Sequence, residues 1–200
     1  MTADNPVIGL LLAAGEGSRF GGDKLLQPLA DGTPIGLQAA RQLAAQVDEL
    51  LCVVRPNDRA LHALFSAEGF TVLPNPEHLS GLSSSLKAGV AARPNAAYWL
   101  VGLGDMPFIQ PATYTSVRAA LNQQLKQPAH TQRLLRTRLH QHTHGHPCAL
   151  PQRYRTELMA LSGDSGAAKL FKQAKPGDVQ LLDTDDSGVL RDIDVPADLS

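Results

Sequence analysis

The stretch LLAAGEGSRFGGDK, residues 11–24, decides how this chain is read. It continues the apolar run Val7 to Ala13, and such a run ended by glycine reads as a strand buried on both faces of a parallel sheet. The glycines at 15, 17, 21 and 22 let backbone N–H groups approach an anion. Arg19 adds a planar fork of donors and Lys24 a point charge. Spacing excludes two common phosphate loops. A dinucleotide fingerprint needs glycine where Phe20 stands, and a P-loop needs lysine directly after Gly22, where Asp23 stands. The stretch therefore predicts a phosphate cradle of another kind, at the end of the first strand, where open α/β sheets bind ligands.

Outward from this loop, strand-like and helix-like segments alternate. A helix is predicted over 34–46, with Thr33 as N-cap and Pro34 at its first position. Residues 49–54 read as a second buried strand, and 70–73 as a third. Between them lies a helix capped by Asn57 or Asp58 and stopped by Gly69. Helices at 81–92 and 111–127 bracket a strand at 98–102. Strands at 133–142, 148–150 and 179–182 follow, with helices from Pro151 and Gly166. Such alternation indicates βαβ units. The expectation is one α/β domain over residues 1–200 with a mixed sheet.

The bulk numbers agree with a globular protein. The chain has 200 residues, 43% hydrophobic and 18% charged, enough for a full core. Aromatic residues are only 4%, which argues against a base-stacking platform for nucleic acid. A net charge of -1 leaves no basic footprint for nucleic acid or a membrane surface. Cys52 and Cys148 form no CxxC pair and read as buried free thiols. The N-terminal residues carry no basic leader pattern, so the expected location is cytoplasmic.

Carboxylates supply the second half of a site. In GLGDMP, Asp105 stands just beyond the strand at 98–102. A carboxylate there, beside a phosphate loop, suggests Mg²⁺, which favours oxygen ligands and substrate phosphates. In RDIDVPADL, Asp192 and Asp194 flank Ile193 and would share one face of an extended segment, so either suits a second ligand position. The run HQHTHGH puts His140, His142, His144 and His146 at every second position. On one strand they would share a face. That suits a transition metal or a polar strand at a pocket rim, and the rim is the expectation.

Taken in order, LLAAGEGSRFGGDK, GLSSSL, GLGDMP, HGHP, GDSGAAK and DIDVPADL resemble the MobA-like nucleotidyltransferases, most closely the molybdenum cofactor cytidylyltransferase branch. The resemblance covers nearly the whole chain. It implies a Rossmann-like fold, with a mostly parallel, mixed sheet and helices on both faces. It implies Mg²⁺-dependent transfer of CMP from CTP to the phosphate of molybdopterin, with pyrophosphate released. A molybdenum enzyme or its chaperone would then receive the product.

By the same resemblance, Leu12, Ala13, Ala14, Gly15, Gly17, Gly81, Ser83 and Ser84 line the nucleotide pocket. Arg19 and Lys24 hold the triphosphate and, with Asp105, act in catalysis. Asp105 and Asp194 bind the metal, while His146 and His144 meet the acceptor. Guanylyl enzymes tend to carry glycine where Ala14 stands, and the added methyl would favour the smaller pyrimidine. Three positions depart from the family pattern: His144 and Ala168 stand where arginines are common, and Val195 replaces a threonine. The first two remove fixed positive charge from the acceptor side. The alternatives are a GTP-dependent or sugar-phosphate nucleotidyltransferase of the same fold, and a non-catalytic nucleotide- or pterin-binding module.

Overall fold

Residues 6–17, 20 and 22–199 are described in a computed structural model. Strand β1 (Val7–Ala13) is buried along its whole length, as its unbroken apolar run requires. Around it are β2 (Glu49–Val54), β3 (Thr71–Pro74), β4 (Tyr98–Leu103), β5 (Leu134–Leu139), β6 (Thr143–Pro151) and β7 (Val179–Thr184). They form one sheet in the order β3-β2-β1-β4-β6-β5-β7. Only β6 runs antiparallel to its neighbours; the other pairings are parallel.

Alternate residues of β1 serve two cores. Val7, Leu11 and Ala13 face a cluster built with α1 (Ile35–Ala44), α2 (Arg59–Ala67) and α4 (Pro111–Gln124). Ile8, Leu10 and Leu12 face a second cluster with α3 (Leu82–Ala92), α5 (Arg155–Met159) and α6 (Ala168–Gln173). Helices therefore cover both faces of a mostly parallel, mixed sheet, as expected.

The chain moves outward from β1 to β2 and β3, then returns to add β4 on the other side of β1. The order reverses between β1 and β4, and such a switch point is where ligands bind. The glycine loop after β1 and Asp105 after β4 both emerge there.

Several boundaries differ from expectation. Helix α1 starts at Ile35, and its N-cap is Pro34 rather than Thr33. Pro34 is held extended, with ψ 140°, because it bridges to Pro28. Asp58 caps α2, accepting from the backbone N–H of Leu61 at 3.1 Å. The strand predicted over 133–142 ends at Leu139, and β6 begins at Thr143 instead of 148. Residues 140–142 form a hairpin loop, with positive φ at His140 (47°) and Gln141 (64°). The four alternating histidines therefore do not lie on one strand. After Pro151 comes a short 3-10 turn before α5, and α6 begins two residues after Gly166.

The C-terminal segment folds back over the switch point. Gly188 passes so close to the loop after β4 that a Cβ there would run into the carbonyl of Phe108. Ile193 is fully buried, and its N–H donates to the Asp105 carbonyl at 2.9 Å.

Candidate active site

The site is assembled by three segments. Beyond β1, Gly17 turns the chain with φ 59°, and its carbonyl accepts from Phe20 N–H at 3.0 Å. The chain then enters a 3-10 turn, Lys24–Leu26. Leu25 and Leu26 pack against the core beneath α1, and the Lys24 side chain is only 10% exposed. Beyond β4, Met106 and Ile109 plug the core and anchor Asp105. The C-terminal segment brings Asp194 alongside. Its position is fixed by Ile193 on one side and by Asp198, whose carboxylate accepts from the N–H groups of Asp194 and Val195.

These three charges meet. Lys24 Nζ lies 2.8 Å from Asp105 Oδ2 and 3.8 Å from Asp194 Oδ1. Asp194, the position that the resemblance names for a metal, is the one beside Lys24; Asp192 is exposed and forms no ion pair with Lys24 among the described residues. An ammonium held between two carboxylates marks a place that suits a cation. Mg²⁺ is usually bound through one or two carboxylates plus substrate phosphates, so the donor set fits a divalent ion that arrives with a nucleotide.

Beside the triad lies a cavity of about 510 Å³. Leu12, Ala13, Ala14, Gly15, Gly17, Lys24, Gly81 and Asp105, all named as candidates by the resemblance, line it. Arg19 lies outside the described residues. Among the described lining residues, five carboxylates (Glu16, Asp23, Asp58, Asp105 and Asp164) face two fixed cations, Lys24 and Arg55. Asp58 is already paired with Arg55. A bare triphosphate would be repelled by the remaining carboxylates, whereas a metal–triphosphate complex supplies the missing positive charge.

Ser83 and Ser84 are corrections. Neither lines the cavity. Residues three apart share a helix face, so Leu82 and Ser85 face the cavity while Ser83 and Ser84 turn into the protein. Ser84 Oγ accepts from Asn75 Nδ2 at 2.9 Å and donates to the Gly81 carbonyl at 2.8 Å. Asn75 Nδ2 also donates to Ser85 Oγ at 3.1 Å, fixing the hydroxyl at the cavity wall. Gly81 has φ 87°, and a Cβ there would strike Asp164 and Gly163. This glycine lets the loop of GDSGAAK close against the start of α3.

Lining residues that the sequence reading did not name include Arg55, Leu79, Ser85 and Asp164. Arg55 had a readable signal, since it is a cation directly after the buried strand β2, at the ligand edge of the sheet. Ser85 and Asp164 lay inside quoted motifs, but helix phase and loop closure were needed to select them. Leu79 is 73% exposed at the cavity wall, an apolar side chain available to a ribose or base.

The two acceptor-side histidines separate. His146 lines a smaller recess with Arg136, which shares Leu12, Leu82 and Leu103 with the main cavity. Burial, reinforced by Arg136, pushes the His146 imidazole down to about 4, so it is neutral near pH 7. His144 is exposed and lines neither cavity. Its pKa is also lowered, by burial and then by Arg136 and Arg138. Protonated His144 therefore does not replace the missing arginine at neutral pH. His140 Nδ1 lies 3.2 Å from Asp185, on the hairpin loop.

Residues 9–179 match the family model described as a MobA-like NTP transferase domain. The chain is 31% identical to a nicotine blue oxidoreductase of Paenarthrobacter nicotinovorans, over 94% of this chain and 92% of that protein. It is 35% identical to a molybdenum cofactor guanylyltransferase of Burkholderia orbicola, over 68% of this chain and 74% of that one. Among solved structures, Rv0371c of Mycobacterium tuberculosis superposes with TM-score 0.78 at 28% identity, covering 99% of this chain and 96% of that one. A nucleotidyl transferase of Methanothermobacter has the same fold, with TM-score 0.78 at 22% identity over 97% and 94% of the two chains. The chain belongs to the MobA-like NTP transferase family.

Proposed function

We propose that this protein transfers CMP from CTP to the phosphate of molybdopterin and releases pyrophosphate. The observation that carries the reading is Lys24, set between Asp105 and Asp194 at the edge of a glycine-lined cavity. Nucleotidyl transfer needs positioning and charge stabilisation more than covalent chemistry from the protein. The acceptor phosphate is already anionic near pH 7 and needs no strong base.

Asp105 and Asp194 would hold the divalent ion, which when bound offsets repulsion between the two anionic substrates. A structure of Rv0371c is a complex with manganese, in keeping with a divalent ion in this fold. The backbone at Gly15 and Gly17 cradles the triphosphate, and Lys24 moves from the carboxylates to the leaving pyrophosphate. Ser85 and Leu79 bound the nucleoside. Arg19, from the family pattern, is assigned to the same triphosphate.

Ala14 favours the pyrimidine, because its methyl is buried at the end of β1 where it lines the cavity. The competing substrate is GTP, supported by the guanylyltransferases among the relatives. The oxidoreductase relative supports a second chemistry on the same scaffold; a pair of carboxylates around a lysine suits nucleotidyl transfer better. The test is release of pyrophosphate from CTP or GTP with Mg²⁺ or Mn²⁺ and molybdopterin. Release from CTP in preference to GTP is expected. Release from GTP alone overturns the CMP assignment. Reduction of nicotine blue without pyrophosphate release overturns the transfer reading.

A further inference from the structure

We infer that Arg136 is the anion anchor of the acceptor subsite, binding the phosphate monoester of the acceptor. This assignment rests on the nucleotidyl-transfer reading for the role of that phosphate, but not for the existence of the site.

Arg136 stands on β5 and is only partly exposed. The other described arginines that are only partly exposed are each paired: Arg55 with Asp58, Arg93 with Glu49, Arg118 with Asp48, Arg138 with Asp183 and Arg153 with Asp178. Arg136 has no carboxylate partner and no side-chain hydrogen bond among the described residues. Its guanidinium lies over the Phe171 ring, with the guanidinium carbon 5.3 Å from the ring centroid. Desolvating a guanidinium without an anion is costly. A cation–π contact recovers about 0.5–2 kcal/mol of that and leaves the donor fork unused.

Strand pairing directs this charge to the nucleotide. Arg136 is in register with Cys148, and Cys148 with Val101 of β4. Register partners share a sheet face, and that face carries Leu12 and Leu103 beside the main cavity. Arg136, His146 and Ser165 line a recess of about 60 Å³, too small for a nucleotide but suited to one compact anionic group. The recess contains a second unmet polar group: His146 Nδ1 is buried with no hydrogen-bond partner. A phosphate monoester would satisfy both. Its oxygens accept from the guanidinium, bidentately where the fork allows, and its protonated or water-bridged edge meets the imidazole. Arg136 thus supplies the fixed charge that is absent at His144 and Ala168.

The experiment reads Arg136 itself. In uniformly ¹⁵N-labelled protein, the side-chain Nε–H resonance of Arg136 is assigned by its loss in Arg136→Gln. Phenyl phosphate is then titrated into the wild-type chain. A saturable shift of that resonance is expected; a resonance that does not move overturns the proposal, whatever the protein's activity. In the transfer assay, Arg136→Gln should raise the acceptor KM about 10- to 100-fold, the scale of a lost charged hydrogen bond. The KM for the nucleotide should stay within about twofold. Equal loss for both substrates overturns an acceptor role. A moving resonance in a chain that releases no pyrophosphate would keep the anion site and refute the transfer reading instead.

Discussion

Lys24 occupies the point where the two candidate metal ligands converge, so a lysine and a bound metal would compete for the same carboxylates. Replacing it has two opposite effects. Lys24→Ala should lower kcat by about 10²–10³, the scale for one preorganised electrostatic group. The same change should tighten Mn²⁺ binding in the absence of nucleotide, because two carboxylates lose their internal counter-ion. Calorimetry with Mn²⁺ alone and steady-state kinetics separate the two effects. A change in KM alone would reduce Lys24 to substrate binding. His146 gives the pH counterpart. Its folded pKa of about 4 lies below its ordinary 6.5, so between those values the unfolded chain binds the extra proton. Its contribution to stability is full above about pH 6.5 and is lost as pH falls towards 4. Arg136 and Asp105 act on the same ring in opposite directions. Thermal melts of wild type and His146→Gln across this window should converge at acid pH.

Helix α3 depends on a polar staple rather than on its cap. Its N-cap, Gly81, has no side chain, and Asn75 holds Ser84 and Ser85 from the preceding turn. Asn75 is 2% exposed. Asn75→Ala should therefore cost about 1–3 kcal/mol, since the buried hydroxyls lose their donor. Urea unfolding measures that cost, and nucleotide binding should weaken with it because Ser85 loses its fixed orientation. A variant with unchanged urea midpoint would mean the staple is dispensable. The family resemblance pointed to Ser83 and Ser84 of GLSSSL, whereas the hydroxyl at the cavity wall is that of Ser85. That depends on the phase at which the helix meets the sheet.

At the scale of the molecule, the C-terminal segment completes the site only because it packs on the loop after β4. Gly188→Ala pushes against the Phe108 carbonyl and should cost about 1–3 kcal/mol through overpacking. It should also lower metal-dependent turnover, by moving Asp194 away from Lys24. Asp194→Asn should lower turnover without lowering the melting temperature comparably. Comparing the two variants by melting and by kinetics tests whether the segment acts through position or only through charge. The described chain has no helix long and apolar enough to cross a membrane. Cys52 and Cys148 are free and buried, with their thiols pushed up to about 12 by burial.

The alternation of strand and helix, the buried strand β1, the loop that follows it and Asp105 beyond β4 were all legible along the chain. These are local properties: hydrophobic period, glycine content and the position of a charge at the end of an apolar run. Only the tertiary structure set Asp194 rather than Asp192 beside Lys24, turned Ser83 and Ser84 away from the cavity, and divided the histidine run at a hairpin. Only the sheet register brought Arg136 to the recess that His146 lines. Each of those outcomes depends on which elements become neighbours and at what rotation. Side-chain spacing along one segment carries no information about either, because contacts across the sheet are set by packing between segments far apart in the chain.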